Sequence, residues 1–346
     1  MPATTNKFRM VKNSIKAAAV KTIRPKRNKD NSTTILSLPQ EMLREIIKEM
    51  SPQDRAPLGL VCRQIRCADL EVPREFERID MRWDEKEQWI MPSKMDCRIL
   101  GSNERPIQAT PHILSFFGRA KADALCIMYE KDAEDPKADF EVITSLCEPM
   151  AFDKLRVRWC NTAIHADKFI SGLLANRDSA NVQLALTFHF ARATTVPNIP
   201  SSRKLLMKLP KLKSFRLQWM GWSRLASAIL DDSTLLHIVS NTDHAELDLA
   251  EFTAQGLLDS FEVVCKSNFS KKYVKLYLSK CWSKGVKEIM QRFQIHFTGM
   301  MTEYRHVDRE RQAVLIISGR AYDDKVCFQM CKSDQNENAT FDIIQW

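Results

Sequence analysis

Five apolar residues recur at nearly constant spacing through the middle of the chain. They are Val157, Leu186, Leu217, Leu247 and Leu276, separated by 29, 31, 30 and 29 residues. Each centres a short run with apolar residues at alternate positions: Leu155–Trp159, Val182–Phe188, Phe215–Trp219, Ala245–Leu249 and Val274–Leu278. Ala124–Tyr129 reads the same way one step earlier. Alternation of period two predicts strands with one buried face. Between them lie stretches of helical period: Phe140–Leu146, His165–Ala175, Arg224–Val239, Thr253–Lys266 and Lys284–Phe293. One strand and one helix per unit lets each helix carry the chain back to start the next strand, so neighbouring strands should run parallel. A fixed period of ~30 residues is the mark of an α/β solenoid. Alternation by itself is equally expected of an ordinary doubly wound sheet. The constancy of the spacing over five units favours the array.

Several strands carry a Leu-x-Leu core: Leu184-Ala185-Leu186, Leu247-Asp248-Leu249 and Leu276-Tyr277-Leu278. This body resembles a degenerate leucine-rich-repeat array. It departs from that family in lacking a regular Asn after each strand; Asn161 and Lys280-Cys281 are partial stand-ins. Alternation assigns faces. Leu247 and Leu249 should point inward and Asp248 outward. Arg156, Arg158, Arg216, Gln218, Lys275 and Tyr277 should then share the outward face of neighbouring strands. Charge mixed with an aromatic residue suits a protein-binding face, and these six are the candidate substrate contacts. A plain solvated sheet face would carry the same pattern. Beyond the array, Gln312–Ser318, Lys325–Met330 and Thr340–Trp346 read as strands joined by turn-rich connectors. A small antiparallel element there would cap the open edge of the array.

Nearer the N-terminus the period changes. Leu43, Ile46, Ile47 and Met50 fall at i, i+3, i+4 and i+7, one face of a helix. Pro39 suits its first position, and Ser37 with Gln40 has capping-box spacing. Ser51-Pro52-Gln53-Asp54 breaks this helix, and Leu58, Val61, Cys62 and Ile65 form a second face of the same spacing. Helices this short cannot bury both a shared core and a further apolar face, so a partner should cover the surplus.

This stretch resembles an F-box. The likeness rests on Leu38-Pro39-x-Glu41, the Leu43/Ile46/Ile47 face, the Ser51-Pro52-x-Asp54 break, and Leu60-Val61-Cys62-Arg63 before Ile65. The resemblance implies a helical module that docks on a Skp-type adaptor of a cullin–RING ubiquitin ligase. It implies adaptor contacts at Leu38, Pro39, Leu43, Ile46, Leu60, Val61, Cys62 and Ile65. Members often carry a large residue after the last helix; Phe76 and Trp83 are the nearest here.

The sequence divides accordingly. Residues 1–34 read as a disordered basic tail, 35–80 as the helical module, and 81–111 as a linker packing on it. Residues 112–300 are the strand/helix repeats and 301–346 the C-terminal β cap. The tail holds nine Lys and Arg against Asp30, which accounts for +8 of the net +9 and leaves +1 for the other 312 residues. Low apolar content and high charge predict disorder, and Arg24-Pro25-Lys26-Arg27 also suits nuclear import or nucleic acid. A basic amphipathic helix over Phe8–Ile23, as in a presequence or at a membrane surface, is a further alternative.

Chemistry is sparse. Ten cysteines are scattered with no C-x-x-C and no zinc-type Cys/His spacing, as expected of reduced core residues. No metalloprotease, nucleophile-elbow or phosphate-loop motif occurs, and only nine glycines are present. No apolar run reaches the ~20 residues of a membrane helix. The expectation is a non-catalytic intracellular adaptor, cytoplasmic or nuclear, with no cofactor or metal. Its partners would be a Skp-type adaptor, through it a cullin, and an unidentified protein substrate. The alternative is a nuclear nucleic-acid-associated protein that uses the basic tail, which the near-neutral body and the lack of a recognition motif disfavour.

Overall fold

The computed structural model describes residues 35–50, 52–83, 88–93, 107–108, 116–117, 120–130, 135–159, 165–189, 199–220, 231–248, 252–267, 271–279, 284–321, 323 and 325–333. The basic tail, Leu249 and the predicted strand Thr340–Trp346 lie outside them. Three short α-helices come first: α1 (Gln40–Glu49), α2 (Pro52–Arg55) and α3 (Arg63–Glu71). The strands are β1 (Glu75–Trp83), β2 (Gln88–Ser93), β3 (Ile107–Gln108), β4 (Lys121–Tyr129), β5 (Ala151–Trp159) and β6 (Gln183–His189). After them come β7 (Leu212–Met220), β8 (Thr242–Asp248), β9 (Lys271–Ser279), β10 (Thr302–Asp308), β11 (Ala313–Gly319) and β12 (Lys325–Ser333). The crossovers hold α4 (Lys137–Cys147), α5 (Ala166–Leu174), α6 (Ile199–Met207), α7 (Asp232–Asn241) and α8 (Ala254–Lys266), and α9 (Lys284–Arg292) follows β9.

Among the described residues, twelve strands form one sheet in the order β10-β11-β12-β9-β8-β7-β6-β5-β4-β1-β2-β3. From β4 to β9 spatial order follows chain order, and every neighbouring pair is parallel. The helices between them lie side by side, α4 against α5 and so on through α9. The periodic residues are direct register partners: Val157 opposes Leu186, Leu186 opposes Leu217, Leu217 opposes Leu247, and Leu247 opposes Leu276. Ile127 and Met81 extend that row to one side, and Phe328 and Ile317 to the other. All nine side chains are buried. Truncating one such leucine typically costs about 2–5 kcal/mol.

The junction between successive helices is close. A side chain at Gly285 of α9 would drive its Cβ into the carbonyl oxygen of Phe252, just before α8. Asp232 of α7 accepts from the Thr253 amide at 2.9 Å and its hydroxyl at 2.6 Å, tying α7 to the start of α8.

Several expectations need correction. Residues 75–83 neither end the helical module nor begin a linker: they form β1, a nine-residue strand paired in parallel with β4. Segment 81–111 adds β2 and β3 to the same sheet. The reason is visible in Phe76, Ile79, Met81 and Trp83, whose side chains join the main core. Charged residues between them hid the strand. β10 was also missed, because none of its residues is fully buried and one of its faces is exposed throughout. The C-terminal strands continue the main sheet through the antiparallel β9–β12 pair.

Candidate functional site

The N-terminal helices enclose a small core of their own. Leu43, Ile47, Ile65, Ala68 and Val72 are buried together, with Leu38, Met50, Leu58 and Cys62 packed against them. Leu43 and Ile65 therefore serve the module's interior and offer no side chain to a partner in this conformation. Seven of the twelve exposed large apolar side chains of the described chain lie on this module: Ile35, Leu36, Met42, Ile46, Leu60, Val61 and Leu70. Isolated exposed apolar residues are ordinary, but seven on one small module are a concentration of the kind that an interaction surface carries. Leu60 and Val61 are the most exposed of the seven, at 68% and 63%. Pro39 is exposed and Leu38 half-buried.

Two helix readings change. Leu58, Val61, Cys62 and Ile65 do not share one helical face. Ala56–Leu60 is a 3-10 turn, and Cys62 is the N-cap of α3, its Sγ accepting from the Ile65 amide at 3.5 Å. The break turns Val61 out to solvent. The Ser37/Gln40 capping box does not form: Pro39 is the N-cap of α1, and Gln40 donates instead to Glu71 Oε1 at 3.2 Å. Sequence reasoning also passed over Ile35, Leu36 and Met42 as candidate contacts. Met42 and Ile46 are four apart, one step off the buried Leu43/Ile47 stripe, so helical phase does carry that signal.

The module is fastened to the sheet by buried charge. Asp69 accepts from Arg55 Nε at 2.5 Å and from Arg74 Nη2 at 2.6 Å. Arg55 also donates to the carbonyls of Asp69, Val72 and Pro73, at 3.0, 2.6 and 3.2 Å. Arg74 donates to the Phe116 carbonyl at 2.9 Å, and its guanidinium sits 4.4 Å from the Phe116 ring centre. Phe116 belongs to the main core. The pair of arginines thus joins the end of α3 to the start of β1, sharing one carboxylate and hydrogen-bonded to four carbonyls, as burial requires.

Among the described residues, none of the helices α4–α9 packs on the opposite face of the sheet, here the open face. Arg156, Arg158, Arg216, Gln218, Asp248, Lys275 and Tyr277 are all half-buried there, alternating with core residues. The sequence placed them on one face, and so does the structure. They differ in company. Arg216 Nε lies 3.3 Å from Glu246, Asp248 pairs with Lys325 at 3.0 Å, and the Lys275 ammonium sits 4.9 Å from the Tyr277 ring centre. On β1, Arg78 pairs with Asp80 and Arg82 with Glu130. Cys126, among Arg78, Asp80 and Arg156, has its thiol pKa pushed up to about 11, chiefly by burial. It is protonated at neutral pH and is no nucleophile there.

Among the described residues, no group of three His, Cys, Asp or Glu side chains could hold a metal ion. No described helix is long and apolar enough to cross a membrane.

Residues 35–68 match the family model of the F-box domain. The chain carries that domain near its N-terminus. The domain supports a role in Skp-type ubiquitin-ligase complexes and in protein–protein interaction. No curated protein and no solved structure matches the chain.

Proposed function

We propose that this protein is a substrate-recognition adaptor of a cullin–RING ubiquitin ligase. The F-box docks on a Skp-type adaptor, which brings a cullin. The sheet body, a leucine-rich-repeat-like solenoid, holds a protein substrate on its open face. The subunit itself is not catalytic, and the complex works in the cytoplasm or nucleus. The observation that carries this reading is the coincidence of the F-box match with the exposed Leu60, Val61, Met42 and Ile46 on the matched residues. Apolar anchors in such a place cost roughly 2 kcal/mol or more when truncated at an interface.

The parallel strands in chain order support the solenoid, and the half-buried mixed-charge residues of the open face support substrate contact. The test is co-purification of the full chain with a Skp-type adaptor and a cullin. Both should be recovered, and Leu60→Ala with Val61→Ala should release both together. Recovery of neither with the wild-type chain sinks the reading.

A further inference from the structure

The open face has one strand whose cations stand alone. Lys154, Arg156 and Arg158 project from β5 on that face, two residues apart. Among the described residues, none of them is in an ion pair. Their register neighbours are uncharged on both sides. Ala124 and Gln183 flank Lys154, Cys126 and Ala185 flank Arg156, and Met128 and Thr187 flank Arg158. The Nε of Arg158 is buried with no acceptor. Charged positions to either side are, by contrast, already neutralised: Arg78 with Asp80, Arg82 with Glu130, and Arg216 with Glu246.

Three like charges in a row with no counter-charge repel one another and gain most from an anionic visitor. Arginine adds a planar fork that takes a carboxylate on two parallel bonds. The spacing says more about the visitor. Alternate residues on a strand are about 6.7 Å apart. An extended peptide repeats its own side chains at the same interval, so acidic residues at alternate positions would meet the three cations in step. A duplex or single-stranded nucleic acid fits less well: the stripe is one strand wide, and no described aromatic flanks it in register for base stacking.

We infer that β5 is the specificity element of the substrate face, recognising an extended acidic segment of a partner protein with Asp or Glu at alternate positions. This rests on the reading that substrate binds the open face.

The test uses the full chain and labelled octapeptides in fluorescence anisotropy. One peptide alternates Glu with Ser; a second has the same four Glu contiguous; a third replaces every Glu by Gln. The first should bind best and the third not at all. Arg156→Gln with Arg158→Gln should weaken the first at least tenfold while the melting temperature stays unchanged. Equal binding by that variant overturns the inference, as does equal binding of the contiguous peptide. A single-stranded oligonucleotide of equal charge that binds more tightly than any peptide also overturns it. Capture of cellular proteins separates this inference from the reading beneath it. If Lys275→Gln with Tyr277→Ala loses them and the arginine variant does not, the open face stands and the β5 assignment falls. If neither variant loses them, the open-face reading itself falls.

Discussion

Asp69 shows how much can depend on one carboxylate. It is buried and faces two guanidinium groups. Removing one partner of a buried ionic group typically costs about 3–5 kcal/mol, because the remaining charge stays desolvated. Asp69→Asn should therefore lower unfolding free energy by about 3 kcal/mol or more in urea titrations; a change under 1 kcal/mol would show that Arg55 and Arg74 are satisfied by carbonyls alone. Lys272 gives a signed pH effect. It is buried on β9, and burial pulls its pKa from 10.5 down to about 8, against the pull of Asp243. Between those values the unfolded chain binds more protons than the folded one, so this residue's contribution to stability rises with pH. Below 8 the full penalty is present. Wild type minus Lys272→Met stability should increase from pH 8 to 10, measured by denaturant unfolding at each pH. A flat difference would mean that the ammonium is not held at a cost.

Helices and strands were unequally legible. The β4–β9 runs stand out because one face of each is buried and alternation survives intact. β1 was obscured since Glu75, Glu77 and Arg78 interrupt its apolar pattern. α6 was missed because Pro200 and Ser201-Ser202 weaken its helical signal. Two helix ends are closed in a way that no motif announces. Arg177 donates to the Cys147 and Met150 carbonyls at 2.7 Å each, at and just beyond the end of α4. Lys332 does the same for Cys265 and Ser267, at 2.9 and 2.6 Å, at the end of α8. Cations there satisfy orphan carbonyls and meet the negative end of the helix. They come from distant positions, so local sequence does not reveal them. Within α1 the two apolar stripes separate by function. Leu43→Ala should destabilise the fold by about 2–5 kcal/mol. Ile46→Ala should leave thermal stability within a degree or two and weaken adaptor binding. Similar melting shifts for both, in differential scanning calorimetry, would contradict this division.

At the scale of the whole molecule, the F-box and the sheet are one construction. The last F-box helix ends at Glu71 and the first strand begins at Glu75, with Arg55 and Arg74 bridging the gap. That geometry fixes the F-box helices relative to the sheet. The F-box and the period of the sheet were readable in the sequence. Which of the expected contact positions stay outside was not, since Leu43 and Ile65 are as apolar as Leu60 and Val61, and only packing sorts them. The central claim rests on that sorting. The most direct measurement is calorimetric titration of a purified Skp-type adaptor into the full chain, comparing wild type with Leu60→Ala/Val61→Ala. The account predicts saturable one-to-one binding that the double variant weakens at least tenfold at unchanged melting temperature. Undiminished affinity in the variant, or no binding by the wild type, would contradict it.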